Sequence, residues 1–124
     1  MIKRAISAII GAASALNGAF MLIDGGRWYD TVPGLAHTGP YNAHFVADIG
    51  AAYLVSGMAL AARAWRPRYW PAALAGAAFF AMHAIIHVLD LLAHRSGAPL
   101  VDVGLVIVPA AIALWAATPD KAEA

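Results

Sequence analysis

No cysteine occurs in the 124 residues, so disulfide bridges, thiolate metal ligands and a redox dithiol are all excluded. Charge is nearly as scarce. Lys and Arg total 8 and Asp and Glu total 7, for a net charge of +1, which gives no basic surface for nucleic acid. Charged residues make up 12% of the chain, against about 25% in an ordinary soluble domain, and hydrophobic residues 62%, against about 45 to 50%. With a mean hydropathy of +0.70, this is the composition of a membrane protein. Nothing reads as a soluble domain, an internal repeat or a low-complexity segment beyond Asp120-Lys121-Ala122-Glu123-Ala124.

What is present instead is four long apolar windows: Ala5 to Ile23, Ala43 to Ala62, Pro71 to Ala93 and Pro99 to Ala117. Each is close to the roughly 20 residues needed to cross a hydrocarbon core of about 30 Å. One connection of real length remains, 24 to 42. The fold class expected is therefore all-α, an integral membrane four-helix bundle forming a single transmembrane domain over 1–124, with the lipid bilayer as its main partner. Met1-Ile-Lys-Arg followed by an apolar run and Ala13-Ser14-Ala15 has the look of a signal peptide. The run continues through Leu16 to Ile23, however, so it reads as a retained first span.

Lys3 and Arg4 precede the first span, Arg63, Arg66 and Arg68 lie between the second and third, and Lys121 follows the fourth. Only Arg27 and Arg95 fall on the other side. The positive-inside rule then places both termini in the cytoplasm of a bacterial inner membrane, in a multi-pass protein. Trp65, Tyr69, Trp70 and Trp115 mark the inner boundary, and Trp28, Tyr29 and Tyr41 the outer one. Asp24-Gly25-Gly26 is expected to end the first helix through paired glycines of positive φ. Val32-Pro33-Gly34 and Gly39-Pro40 are turn signals in the outer loop, which Trp28 and Tyr29 would hold on the membrane surface. Gly50 and Gly57 on the second span, and Ser14 with Gly18 on the first, predict close helix packing.

Against this apolar background HAIIHVLDLLAH, residues 83 to 94, stands out. At about 100° per residue, His83, His87, Asp90 and His94 fall within roughly 60° of one another, on one helical stripe. His44 and Asp48 form an i, i+4 pair on the second span, Asn17 and Asp24 share a face of the first, and Asp102 begins the fourth. With the topology above, most of these groups share the outer third of the bundle. Only His83, about 16 Å below His94, and Asn17 reach its middle.

Neutral imidazole and carboxylate are ordinary metal ligands, and binding a metal would offset the cost of holding such groups in lipid. The expected site is thus a transition metal, Zn, Fe, Mn or Cu, held by His44, His83 and His87, with Asp48 and Asp90 as ligands or as acceptors orienting the imidazoles. Such a metal would serve a membrane metalloenzyme or a metal-handling protein, and the sequence leaves open whether the chain is an enzyme at all. Haem b, ligated by His44 and His87, is a lesser alternative, since Asp48 and Asp90 are poor neighbours for a macrocycle. Membrane desaturases also use H-x-x-x-H but need about eight His. The bland reading of the same five residues is a hydrogen-bonded network that fixes helix register. His37 and His94 read as interfacial residues, and Asp24 and Asp102 as helix-end caps or surface charges.

The stretch Ala47-Asp48-Ile49-Gly50-Ala51-Ala52-Tyr53-Leu54 to Gly57, together with the size and four-span layout, resembles small bacterial membrane proteins of the DoxX-like type. That resemblance covers the layout of most of the chain and implies a link to quinol-dependent respiration; no residue role follows from it. A second functional class is a non-catalytic subunit or assembly factor, in which the glycine faces contact copies of the chain as a homo-oligomer or a larger membrane complex.

Overall fold

The computed structural model describes residues 1–120; Lys121, used above for orientation, lies outside them. The described residues are helical with no strand. Helix α1 (Ile2–Ile23) runs without a break because no proline interrupts it. It stops at Asp24 rather than at the glycines. Asp24 turns to φ −146°, and its carboxylate accepts from the Arg27 N–H at 3.2 Å to open the short helix α2 (Gly25–Thr31). Such a cap satisfies one of the N–H groups that a helix start leaves without a partner. Gly25 and Gly26 are thus helical, and the positive φ expected of them belongs to Gly34 and Gly39 in the following loop.

Helix α3 (Ala43–Trp65) begins on Asn42, whose side chain accepts from the Phe45 N–H at 3.1 Å. It ends because Pro67 forces Arg66 into an extended conformation. After a 3-10 turn at Pro67–Tyr69, helix α4 (Trp70–Leu92) starts with Pro71 in its first turn, where a missing N–H costs nothing. The last span starts as α5 (Pro99–Val101), passes through a π-helical stretch Asp102–Ile107 and continues as α6 (Val108–Ala117). Its backbone stays helical at both junctions, and the Val108 N–H reaches back to the Val103 carbonyl. Pro109 explains the widened turn: it has no N–H to donate, and its ring crowds the carbonyl four residues earlier, at Leu105.

Among the described residues four helices are long and apolar enough to cross a membrane by length and composition: Ile2–Ile23, Ala43–Trp65, Pro67–Leu92 and Pro99–Ala117. They close into a ring in which α1 packs on α3, α3 on α4, α4 on α6 and α6 on α1. Small residues set the spacing. A Cβ added to Gly11 would lie 2.6 Å from the Ala61 nitrogen, and one on Gly18 would overlap the backbone of Gly50 and Leu54. The α1–α3 seam is therefore backbone against backbone, the packing favoured where lipid removes any hydrophobic gain from association. The core cluster joins Leu60, Phe80 and six alanines, Ala73, Ala77, Ala84, Ala110, Ala113 and Ala117.

Basic side chains fasten the end that carries the termini. Lys3 donates to the Thr118 hydroxyl at 3.0 Å and pairs with Asp120 at 3.2 Å, while Arg4 donates to the Ala64 carbonyl at 2.8 Å. Arg63, fully buried, donates to the Ala116 carbonyl. At the opposite, loop end, the Trp28 indole N–H donates to the Asn17 side-chain oxygen at 2.9 Å. Trp28 is thereby turned onto α1 instead of lying outward.

Candidate functional site

The residues expected to share one metal do not meet. Among the described residues no group of three or more His, Cys, Asp or Glu is arranged to hold a metal ion, and this overturns the expected transition-metal site. The reason is rotational. Gly50 and Gly57 must face α1 for the backbones to touch, and Asp48 lies two residues from Gly50, about 200° around the helix. His44 and Asp48 consequently project from the outside of α3, with side chains 90% and 63% exposed, 3.5 Å from each other. Asp90 is drawn off in a different way. Helix α4 ends at Leu92, His94 adopts φ 55°, and the chain folds back so that the Arg95 guanidinium donates to Asp90 at 2.7 and 3.0 Å.

His83 and His87 do stay together and inside, with ring centroids 4.7 Å apart in edge-to-face contact. Their partner is Asp102, assigned above only as a helix-end residue. His87 Nδ1 lies 2.9 Å from Asp102 Oδ1, and the second carboxylate oxygen accepts from the Ser96 hydroxyl. Ser96 is held in turn by the Ala98 N–H, which donates to its oxygen at 3.2 Å. The Asp102 side chain is 14% exposed and that of His87 26%. A carboxylate so placed would be costly in lipid without donors, and here two hydrogen bonds satisfy it.

His83 forms the inner end of this file. It stacks on Phe79 and meets the Tyr53 ring edge-on, with centroids 6.2 and 5.7 Å away. Beyond it lies a cavity of about 40 Å³ whose lining includes Ser14, Tyr53, His83, Leu105 and Pro109. At roughly 10 to 15 Å³ per water on this measure, it has room for about three or four waters beside three polar side chains. The π-helical stretch borders the same cavity, at Leu105 and Val106. At the outer end, the turn carrying Ser96 is covered by the loop: Gly97 packs against the His37 ring and Gly34 against Ala98. Asp24 serves as the α2 cap, and His94 is exposed.

Sequence reasoning gave Ser96, Ser14 and Tyr53 no place in a site. For Ser96 a signal was available, since Ser-x-Ala-Pro just before a helix is a turn in which the hydroxyl turns back on the backbone. Chemically, such an arrangement can pass a proton. With Asp102 ionised, Nδ1 of His87 carries the hydrogen and Nε2 keeps a lone pair, so the ring can take a proton at one nitrogen and release one at the other. Set against known protein families, curated proteins and solved structures, the chain matches none.

Proposed function

We propose that this is a multi-pass membrane protein whose Ser96–Asp102–His87–His83 file carries protons between the loop end of the bundle and the cavity at its middle. The observation that supports it is the 2.9 Å contact of His87 with Asp102, continued by the edge contact of His87 with His83. Ionisable groups facing the interior of a membrane bundle commonly mark proton pathways. In the relay, His87 accepts a proton at Nε2 from the His83 side and yields the one on Nδ1 to Asp102, which releases it toward Ser96 and the loop end, or the reverse; once the ring reorients, His87 and Asp102 are back in their starting states and one proton has moved. The clustering of Lys3, Arg4, Arg63, Arg66 and Arg68 toward the end with the termini favours a cytoplasmic position for that end. The file would then open outward.

Nitrogen NMR of histidine-labelled protein in lipid bilayers tests the reading. The relay requires His87 to hold its hydrogen on Nδ1, and Asp102→Asn, whose amide can also donate, should shift the ring toward the other tautomer. An unchanged His87 signal in Asp102→Asn would remove the basis for the proposal.

A further inference from the structure

Two arginines at the end that carries the termini are not used to fasten the bundle. Lys3, Arg4 and Arg63 each reach an acceptor in another part of the chain. Arg66 and Arg68 are both exposed, and among the described residues neither meets a carboxylate. The one hydrogen bond found there for either guanidinium runs from Arg68 to the hydroxyl of its neighbour Tyr69 at 3.4 Å. No Asp or Glu occurs between Asp48 and Asp90, so the turn from α3 to α4 has no acidic side chain of its own.

What holds these two side chains is aromatic. The Arg66 guanidinium lies over the Trp65 ring, 4.8 Å from its centroid, and that of Arg68 over the Tyr69 ring at 5.2 Å. The two rings are themselves 6.0 Å apart and inclined by 31°. A guanidinium resting on a ring occupies its flat face and keeps its edge of N–H donors, the fork that fits two phosphate oxygens at once. Stacking has already removed part of the freedom that binding would otherwise cost. Trp and Tyr settle at the level of lipid headgroups, which brings both guanidiniums to the depth of the phosphates.

The surface beside the turn suits a lipid better than free phosphate. Ala64, the residue before Trp65, forms the α3 wall of a cleft of about 310 Å³ whose lining also includes Met1, Arg4, Ala5 and Ala8. Three alanines give that cleft an apolar bed for an acyl chain.

We propose that the Arg66-Pro67-Arg68 turn seats the headgroup of an anionic phospholipid, its guanidiniums taking phosphate oxygens while an acyl chain lies in the alanine-lined cleft. Orientation by the positive-inside rule needs only charge, whatever its geometry. Guanidiniums fixed on rings and clear of carboxylates add a preference for one class of lipid. The seat is at the opposite end of the bundle from Ser96 and does not depend on the His87 relay.

Native mass spectrometry of the protein in micelles supplied with phosphatidylglycerol or phosphatidylcholine tests the seat. The parent chain should retain phosphatidylglycerol in preference to phosphatidylcholine. Arg66→Gln and Arg68→Gln should each weaken phosphatidylglycerol binding about five-fold, the scale of one basic residue at an anionic surface. Arg27→Gln, exposed at the loop end, should leave it unchanged. Arg66→Lys combined with Arg68→Lys keeps the charge but loses the fork, and should also bind more weakly than the parent. In micelles without phosphatidylglycerol the Gln variants should unfold at the parent midpoint; a lowered midpoint there would assign the arginines to the fold and overturn the proposal. Equal retention of the two lipids by the parent also overturns it, as do Gln variants or a double Lys variant that bind like the parent, or an Arg27→Gln that weakens binding as much. Displacement of phosphatidylglycerol by inorganic phosphate at matched concentration would make a soluble anion the occupant and overturn the lipid assignment.

Discussion

His87 on α4 and Asp102 at the start of the last span are joined Nδ1 to Oδ1 at 2.9 Å, and this single contact ties the two helices together at the loop end. Ser96 completes it from the turn between them, so three separate local decisions converge on one carboxylate: the end of α4, the turn and the widened π stretch. Replacing Asp102 by Leu should destabilise the bundle by about 0.6 kcal/mol, the average for hydrogen bonds between membrane helices, and by no more than about 1.7 kcal/mol, the largest such value. Reversible unfolding in mixed micelles measures it, and no loss of stability would mean that the bond is not formed in the folded protein.

The backbone seam between α1 and α3 makes a sharper stability prediction. Gly18→Ala forces a methyl into the Gly50 carbonyl and the Leu54 backbone, neither of which can swing aside. The expected cost is about 1 to 3 kcal/mol of overpacking. Gly26→Ala, in helix α2 with nothing within 4 Å of the added carbon, should be neutral or stabilising by up to about 1 kcal/mol. Unfolding midpoints of the two variants check the contrast.

Chelation separates the file of acid and base groups from the metal site expected at first. A strong chelator should leave the unfolding midpoint unchanged, because no ligand is being removed from the folded state. His44→Ala and Asp90→Ala should leave the His87 nitrogen resonances where they are, since neither residue contacts that ring. A chelator-dependent midpoint would revive a metal.

The contact of Trp28 with Asn17 predicts how the loop is held. Trp28→Phe keeps the ring but removes the donor, leaving the Asn17 oxygen without the indole it accepts from at 2.9 Å. The loop end should open, and a cysteine placed at Leu35 should react faster with a water-soluble maleimide than in the parent. Equal rates would show that the indole bond does not anchor the loop.

The spans were legible because runs of about 20 apolar residues have few other meanings: the windows Ala43 to Ala62 and Pro71 to Ala93 fall within a few residues of α3 and α4. The stripe on α4 was legible in part, since His83 and His87 stay together inside. What the helical wheel could not supply was direction relative to the other helices. A helix has one face for each neighbour, and which face Asp48 takes is settled by where Gly50 must go. That constraint was written in the spacing of Gly50 and Asp48, but it becomes decisive only once Gly18 and Gly11 are known to sit opposite Gly50 and Gly57. Asp102 escaped for a different reason. At the start of the last span it read as a helix-end residue, and nothing in the spacing shows that the turn carrying Ser96 brings it onto His87. Asp90 was lost to Arg95, a neighbour brought back by the αL turn at His94.

The relay is tested most directly by the rate at which the His83 ring proton exchanges with solvent in a bilayer. His83 should exchange with added deuterated water through His87, so His87→Phe, which keeps a planar ring but cannot carry a proton, should slow that exchange by about ten-fold or more, the scale of one positioned proton-transfer group being about 10²–10⁴-fold. The Trp28 indole, outside the file, should exchange as before. If His83 exchanges in His87→Phe as fast as in the parent chain, protons reach the cavity by another route and the account is contradicted.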